Sequence, residues 1–220
     1  MPPDRSLHAV LTADIVNSTG LGSRMESLLQ QELQLALSPY AVEFYRGDSF
    51  QAYLDRPEGA LRIALLCRAL AISLPERSGT EKDMPDESMA VSDIRISIGL
   101  GTVQLPVKAP GTAKGEAFLL SGRGLDDIQR TERRLAILCG HAVANIGLEA
   151  MAYHLDAIFR TMTAKQAAAI CWLLRGATQQ EVTGQLNKSK STVSQLVSAG
   201  NWAEIEKILQ QFDMLIKELS

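Results

Sequence analysis

The chain has 220 residues and a mass of 23.9 kDa, a length that fits one large domain or two small ones. Hydrophobic residues make up 46%, charged residues 21%, and the net charge is -3, values that are typical of globular proteins and exclude a disordered or fibrous chain. No apolar run is long enough to cross a membrane, no leader pattern opens the chain, and the three cysteines lack metal-ligand spacing, so we expect a cytoplasmic protein with reduced, buried thiols and no membrane partner.

Hydrophobic periodicity and turn residues divide residues 1–140 into alternating strands and helices. In chain order, the predicted elements are a strand at 8–15, a helix at 21–38, strands at 41–45 and 49–54 joined by Arg46-Gly47-Asp48, a helix at 57–74, a strand at 94–101, a helix at 116–128 and a strand at 135–139. Loops are predicted at 75–92 and 106–114. This βαββαβ order with an added helix and strand predicts an α+β, ferredoxin-like domain with its helices on one face of the sheet.

The period is helical from residue 141 onward, which predicts a second, all-α domain at 141–220. Thr163 to Gln166 and Thr178 to Glu181 have the pattern of capping boxes, and a further helix starts near Ser189. Apolar residues of the last helix recur every seven positions. Such a stripe packs inside its own domain or forms a dimer seam, and both alternatives stay open here.

Residues 163–200 are modestly basic and predict a helix-turn-helix. Four basic residues against Glu181 give this segment a charge of +3, which leaves -6 for the rest of the chain. The side chains that the third helix would expose are Lys190, Ser191, Thr192, Ser194 and Gln195. Hydroxyl and amide groups near a helix N-terminus can reach base edges, while Lys188 and Lys190 suit phosphates. Double-stranded DNA is therefore the predicted partner, and a packing or dimerisation module is the alternative.

The segment TQQEVTGQLNKSKSTVSQ, at 178–195, resembles the tri-helical DNA-binding modules of bacterial regulators and sigma-factor region four. It departs from their usual pattern at Gly184 and at Gln195, which stands where an arginine is frequent. The resemblance implies binding of duplex DNA through the residues just named. Because helix-turn-helix proteins usually bind two-fold operators, we also expect a homodimer.

Two carboxylates of the first predicted domain are candidates for a metal site. Asp14 ends the first strand, and Asp48 lies in the hairpin between the second and third strands. These positions are side by side in a ferredoxin-like sheet, where two carboxylates could hold a divalent cation and, through it, a triphosphate. Alternatively, Asp14 caps the turn at 17–19 and Asp48 only favours the tight hairpin.

Four segments between residues 8 and 130 resemble the sequence blocks of class III nucleotidyl cyclases: LTADIVNSTGL, YRGDSFQAYL, RISIGLGTV and GEAFLLSGRGLDDI. The GDSFQ block is more similar to the SatD-like family. The resemblance implies that Asp14 and Asp48 bind Mg²⁺ with a nucleotide and that Arg123 binds the nucleotide in the transition state. The family's partner asparagine, base-selecting lysine and base-selecting aspartate are replaced by Leu119, Phe44 and Thr112.

These substitutions predict a degenerate cyclase-like domain that senses a nucleotide, joined to a DNA-binding unit. The first hypothesis is therefore a DNA-binding transcriptional regulator. The alternatives are a Mg²⁺-dependent nucleotidyl cyclase or nucleotidyltransferase, and an adaptor that only docks other proteins. Whether the chain is an enzyme stays open at this point.

Overall fold

The computed structural model describes residues 6–16, 21–45, 47–74 and 92–219. The predicted turn at 17–19 and nearly all of the predicted loop at 75–92 lie outside these ranges. The strands are β1 (His8–Val16), β2 (Ala41–Tyr45), β3 (Ser49–Leu54), β4 (Asp93–Gly101) and β5 (Leu135–Cys139). The helices are α1 (Gly22–Leu37), α2 (Ala60–Ile72), α3 (Glu116–Gln129), α4 (Ala142–Arg160), α5 (Ala164–Leu174), α6 (Gln179–Leu186), α7 (Lys190–Ala199) and α8 (Trp202–Leu219). The predicted α+β class is confirmed.

One five-stranded sheet has the strand order β2-β3-β1-β4-β5. The central strand β1 pairs antiparallel with β3 and β4, β2 pairs antiparallel with β3, and β5 pairs parallel with β4. Gly47 forms the β2–β3 turn with a φ of +83°, a conformation that glycine adopts without steric cost. The predicted hairpin therefore forms where the sequence indicates it.

The prediction that helices cover only one face of the sheet is wrong. Alternate β1 residues such as Leu11 and Ala13 join the main core with residues of α1 and α2. Thr12 points to the other face, where its hydroxyl and that of Ser121 on α3 are 2.9 Å apart. The helix α3 connects β4 to the parallel strand β5, and a Cβ at Gly99 would collide with its backbone. Small residues on this side of β4 thus allow a helix to pack closely.

The helices after residue 140 share one hydrophobic core with the sheet. Helix α4 packs on β5, and α5 packs on α2. The largest cluster of buried residues includes Leu65, Leu148 and Phe212. The seven-residue stripe of α8 packs inside the chain, with Ile205, Leu209, Phe212 and Ile216 buried. The division into domains 1–140 and 141–220 stays a prediction.

A fully buried arginine joins α2 to β4 and α4. The Arg68 guanidinium donates to both carboxylate oxygens of Asp93, at 3.1 and 2.7 Å, and to Asp156 at 2.8 Å. It also lies over the ring of Phe159, 5.1 Å from its centroid. The backbone N–H of Arg134, just before β5, donates to Asp156. This network attaches β4 and the start of β5 to the helices α2 and α4.

The predicted buried, reduced thiols are confirmed. Cys67, Cys139 and Cys171 are buried, and none of them forms a disulfide. Burial raises the pKa of the Cys67 thiol to about 12, so this group is protonated and unreactive at neutral pH. Within the described ranges, no helix combines the length and the apolar character that a membrane span needs.

Candidate nucleic-acid interface and carboxylate site

Side-chain caps and one left-handed residue set the boundaries of α5, α6 and α7. Thr163 and Thr178 form complete capping boxes with Gln166 and Glu181, as the sequence predicts. Asn187 ends α6 with a φ of 50°, a conformation that asparagine tolerates better than most residues. Helix α7 begins three residues after Asn187, with Ser189 as its N-cap.

Helix α7 has one buried face and one exposed polar face. Val193 and Val197 are buried in the main core. The exposed side chains include all five predicted for DNA contact on this helix, which are Lys190, Ser191, Thr192, Ser194 and Gln195. Lys188 is half-buried. No acidic residue occurs between Glu181 and Glu204, so the exposed face presents hydroxyls, an amide and positive charge at a helix N-terminus.

One basic residue of the 163–200 segment is paired and cannot serve a phosphate in this arrangement. Arg175 forms a 2.8 Å ion pair with Glu32 of α1. Its guanidinium also lies over the Trp172 ring, 5.1 Å from the centroid. Arg175 therefore attaches α5 to α1, and the positive charge available on this unit is smaller than the count along the sequence suggests.

The tertiary structure brings Asp14 and Asp48 together. Asp14 pairs with Ser49 across β1 and β3, and the backbone N–H of Ile15 donates to the Asp48 carbonyl at 2.7 Å. Asp14 Oδ2 accepts a hydrogen bond from Arg95 at 2.7 Å. Asp14 Oδ1 is buried and has no hydrogen-bond partner among the described residues. The two carboxylates thus lie at one end of the central strand, with one buried oxygen left for a further ligand.

Burial raises the pKa of Asp14 above its usual range, and the negative charge of Asp48 adds to this effect. The positive charge of Arg95 and the hydrogen bonds from Arg95 and Gln129 oppose it without cancelling it. Because Arg95 and Gln129 do not fully offset the cost of burying the charged Asp14 carboxylate, a bound cation would stabilise it. Nevertheless, the described residues contain no cluster of three or more metal-ligating side chains.

Replacing Asp14 with asparagine should stabilise the protein at neutral pH. The folded protein holds the Asp14 proton more tightly than the unfolded chain, so wild-type stability falls as pH rises from the ordinary carboxyl pKa through the raised one. We expect Asp14→Asn to unfold at higher urea concentration than wild type at pH 7 without metal, and the difference to shrink near pH 4 (about the ordinary Asp pKa). The matched change Asp126→Asn, on the exposed side of α3, should show neither effect. Equal stability of Asp14→Asn and wild type at pH 7 would contradict the prediction.

The structure does not place Arg123 in contact with the two carboxylates. Arg123 is exposed on α3, and no hydrogen bond or ion pair joins it to another described residue. Gln129, at the end of the same helix, lies 3.5 Å from Asp14 Oδ2 instead. Leu119 is half exposed on α3, and Phe44 packs against Phe50. The role of Arg123 in nucleotide binding stays a prediction.

Arg95, Gln129 and Gln51 are not among the predicted site residues. Arg95 alternates with Ile94 and Ile96 along β4, and this period places it on the sheet face of Asp14. That alternation could have identified it. Gln51 donates to Thr12 at 3.0 Å, which continues a polar row from the sheet to α3. No local pattern indicates this row, because its members come from three separate elements.

Comparison with known proteins assigns no family to the chain. No protein-family model matches it, and no curated protein matches it. Among solved structures, it is similar to a bacterial light-regulated adenylyl cyclase, with a TM-score of 0.39 and 15% sequence identity over 61% of this chain and 77% of that chain. This likeness is distant and assigns neither an activity nor a ligand to the chain. The resemblances to SatD-like proteins and to sigma-factor region four stay predictions.

Proposed function

We propose that the chain is a cytoplasmic DNA-binding regulator in which α7 enters the major groove of duplex DNA. The observation that carries this proposal is the exposed polar face of α7, which is free of acidic residues and starts at a capped helix N-terminus. Ser194 and Gln195 are of the types that hydrogen-bond base edges. Lys188, Lys190 and the first N–H groups of α7 suit the phosphate backbone.

In this proposal, the sheet and its helices form a degenerate cyclase-like, ferredoxin-like module that senses a nucleotide. The order β2-β3-β1-β4, antiparallel throughout, supports the ferredoxin-like assignment. Helix α5 packs on α2, and Arg62 Nη1 lies 3.5 Å from the carbonyl of Leu174. A ligand that binds one arrangement of these helices more tightly than another would change DNA affinity through this contact.

The test compares DNA binding by two pairs of lysine variants. The probe is promoter DNA from the protein's own locus, and fluorescence anisotropy at several salt concentrations gives the affinity. Lys188→Ala with Lys190→Ala should weaken binding and reduce the slope of log Kd against log salt by about 2, because two phosphate contacts are lost. Lys207→Ala with Lys217→Ala, which removes the same charge from exposed positions of α8, should leave both values near wild type.

Two results would overturn the DNA-binding proposal. One is the absence of binding by wild type at about 100 mM salt, where nonspecific attraction to phosphates still operates. The other is an equal effect of the two lysine pairs, because net charge rather than α7 would then explain the affinity.

A second candidate function is Mg²⁺-dependent chemistry on a nucleoside triphosphate. The observation in its favour is Oδ1 of Asp14, which is buried near Asp48 and has no hydrogen-bond partner in the described part of the chain. These residues fit the ion, since Mg²⁺ is commonly held by one or two carboxylates together with phosphates. Bound Mg²⁺ would neutralise phosphate charge, while Arg95 would keep Asp14 oriented. Incubation with the four nucleoside triphosphates and Mg²⁺ or Mn²⁺ tests it: a product that disappears in Asp48→Ala supports an enzyme, and no product excludes it.

A further inference from the structure

Helix α4 carries a strip of exposed apolar residues along its length. Val143, Ile146 and Tyr153 are 74%, 71% and 67% exposed. Ala150 and Ala157 are exposed on the same face. The five positions follow the alternating three- and four-residue spacing of a coiled-coil seam. Together they form a continuous strip on a helix about 28 Å long, and the opposite face of α4 is buried against the core.

This strip differs from the solvated faces of other helices in the chain. Helix α8 is of similar length, and nearly all of its exposed side chains are polar or charged. Met214 is its one strongly exposed large apolar residue, at 67%. A single exposed apolar residue is ordinary for a soluble protein, whereas a contiguous strip marks an interaction surface.

We propose that the α4 strip, defined by Val143, Ile146, Ala150, Tyr153 and Ala157, is a homodimer interface in which α4 pairs antiparallel with α4 of a second copy. The last four of these residues alternate large and small side chains. In an antiparallel pair centred between Ala150 and Tyr153, each Tyr153 faces the partner's Ala150 and each Ile146 faces the partner's Ala157. A strip with this order is complementary to itself, as a two-fold interface requires.

The charges beside the strip also favour a second copy. Arg133 lies over the Tyr153 ring, 5.9 Å from its centroid, and 3.8 Å from Glu149 on the same side of the strip. The two-fold pairing that places Tyr153 against the partner's Ala150 brings Arg133 close to the partner's Glu149. Two arginines and two glutamates then alternate along one edge, so each charge meets an opposite one.

The first test is the molar mass of the full chain, measured by light scattering during gel filtration. The molar mass measured for the wild-type protein should be twice that of one chain. Ile146→Glu with Tyr153→Glu should be monomeric at the same concentration, with the dimer dissociation constant raised at least about 100-fold, because two desolvated charges per chain would be unpaired. Met214→Glu, at an equally exposed apolar residue of α8, should remain dimeric. Should the double variant not fold, Val143→Lys serves in its place.

A cross-linking experiment then tests the orientation. Ala150→Cys lies beside the two-fold axis, so a short bismaleimide should join two chains of this variant. Ala203→Cys, at an exposed alanine of α8, and wild type, whose cysteines are buried, should give no cross-linked dimer. A monomeric wild type, a dimer that persists in Ile146→Glu with Tyr153→Glu, or no cross-link through residue 150 would each overturn the proposal. None of these results depends on DNA binding, so the two proposals can fail separately.

Discussion

Arg68→Ala should lower the free energy of unfolding by about 3–5 kcal/mol, the usual cost of removing one partner from a buried ion pair. Arg68 is fully buried, and the carboxylates of Asp93 and Asp156 receive their side-chain hydrogen bonds from it. Asp156 is itself buried. Without the guanidinium, two neighbouring negative charges would remain in the core with only backbone donors, and a cavity would remain over Phe159.

Urea unfolding followed by circular dichroism measures this loss. Arg130→Ala is the matched control, since Arg130 is exposed, and it should change stability by less than about 0.5 kcal/mol. Asp156→Ala combined with Arg68→Ala should cost less than the two single losses together, because the same network is broken once. A loss of unfolding free energy below about 1 kcal/mol in Arg68→Ala would contradict the prediction. It would show that water reaches the carboxylates of Asp93 and Asp156.

Gly99→Ala should cost about 3 kcal/mol of stability, at the upper end for overpacking a core. A Cβ at this position would overlap the carbonyl oxygen of Ala117 and the backbone nitrogen of Ser121. Both belong to the backbone of α3, so no side chain can rotate away and the helix itself must shift. Because α3 carries Gln129, this shift should also disturb the hydrogen bond to Asp14.

The control for this prediction is another glycine-to-alanine change. A Cβ at Gly122 of α3 would meet no atom within 4 Å, and alanine is the better helix former. Gly122→Ala should therefore raise stability by about 0.5–1 kcal/mol. Thermal unfolding of both variants decides the matter. If Gly99→Ala is as stable as wild type, α3 does not pack on β4 as closely as the structure has it.

Local signals in the sequence were sufficient for most of the elements. The bounds of β2, β3 and β5 agree with the prediction, and so do both capping boxes. These features depend on residues within a few positions of one another, through periodicity, turn chemistry and caps.

The sequence predicted helices on one face of the sheet only, whereas α3 packs on the other face, and this difference has a physical reason. The alternation of small residues at Ser97 and Gly99 is visible in the sequence, but it does not say which helix uses the space. Likewise, charge counting included Arg175 in a basic segment, while the folded chain pairs it with Glu32, 143 residues away. The number of basic residues in the segment was therefore correct, but the charge of Arg175 is not available to bind a phosphate.

Local sequence patterns were enough to predict the fold class, the order of the elements along the chain, the exposed polar side chains of α7 and the closeness of Asp14 to Asp48. Contacts in the folded chain were needed to show that Arg95 binds Asp14, that Arg68 is buried between two carboxylates, that the stripe of α8 is internal and that the strip of α4 is exposed. The reason is that periodicity reports which face of an element is apolar, whereas the partner of that face depends on contacts between residues far apart in the chain.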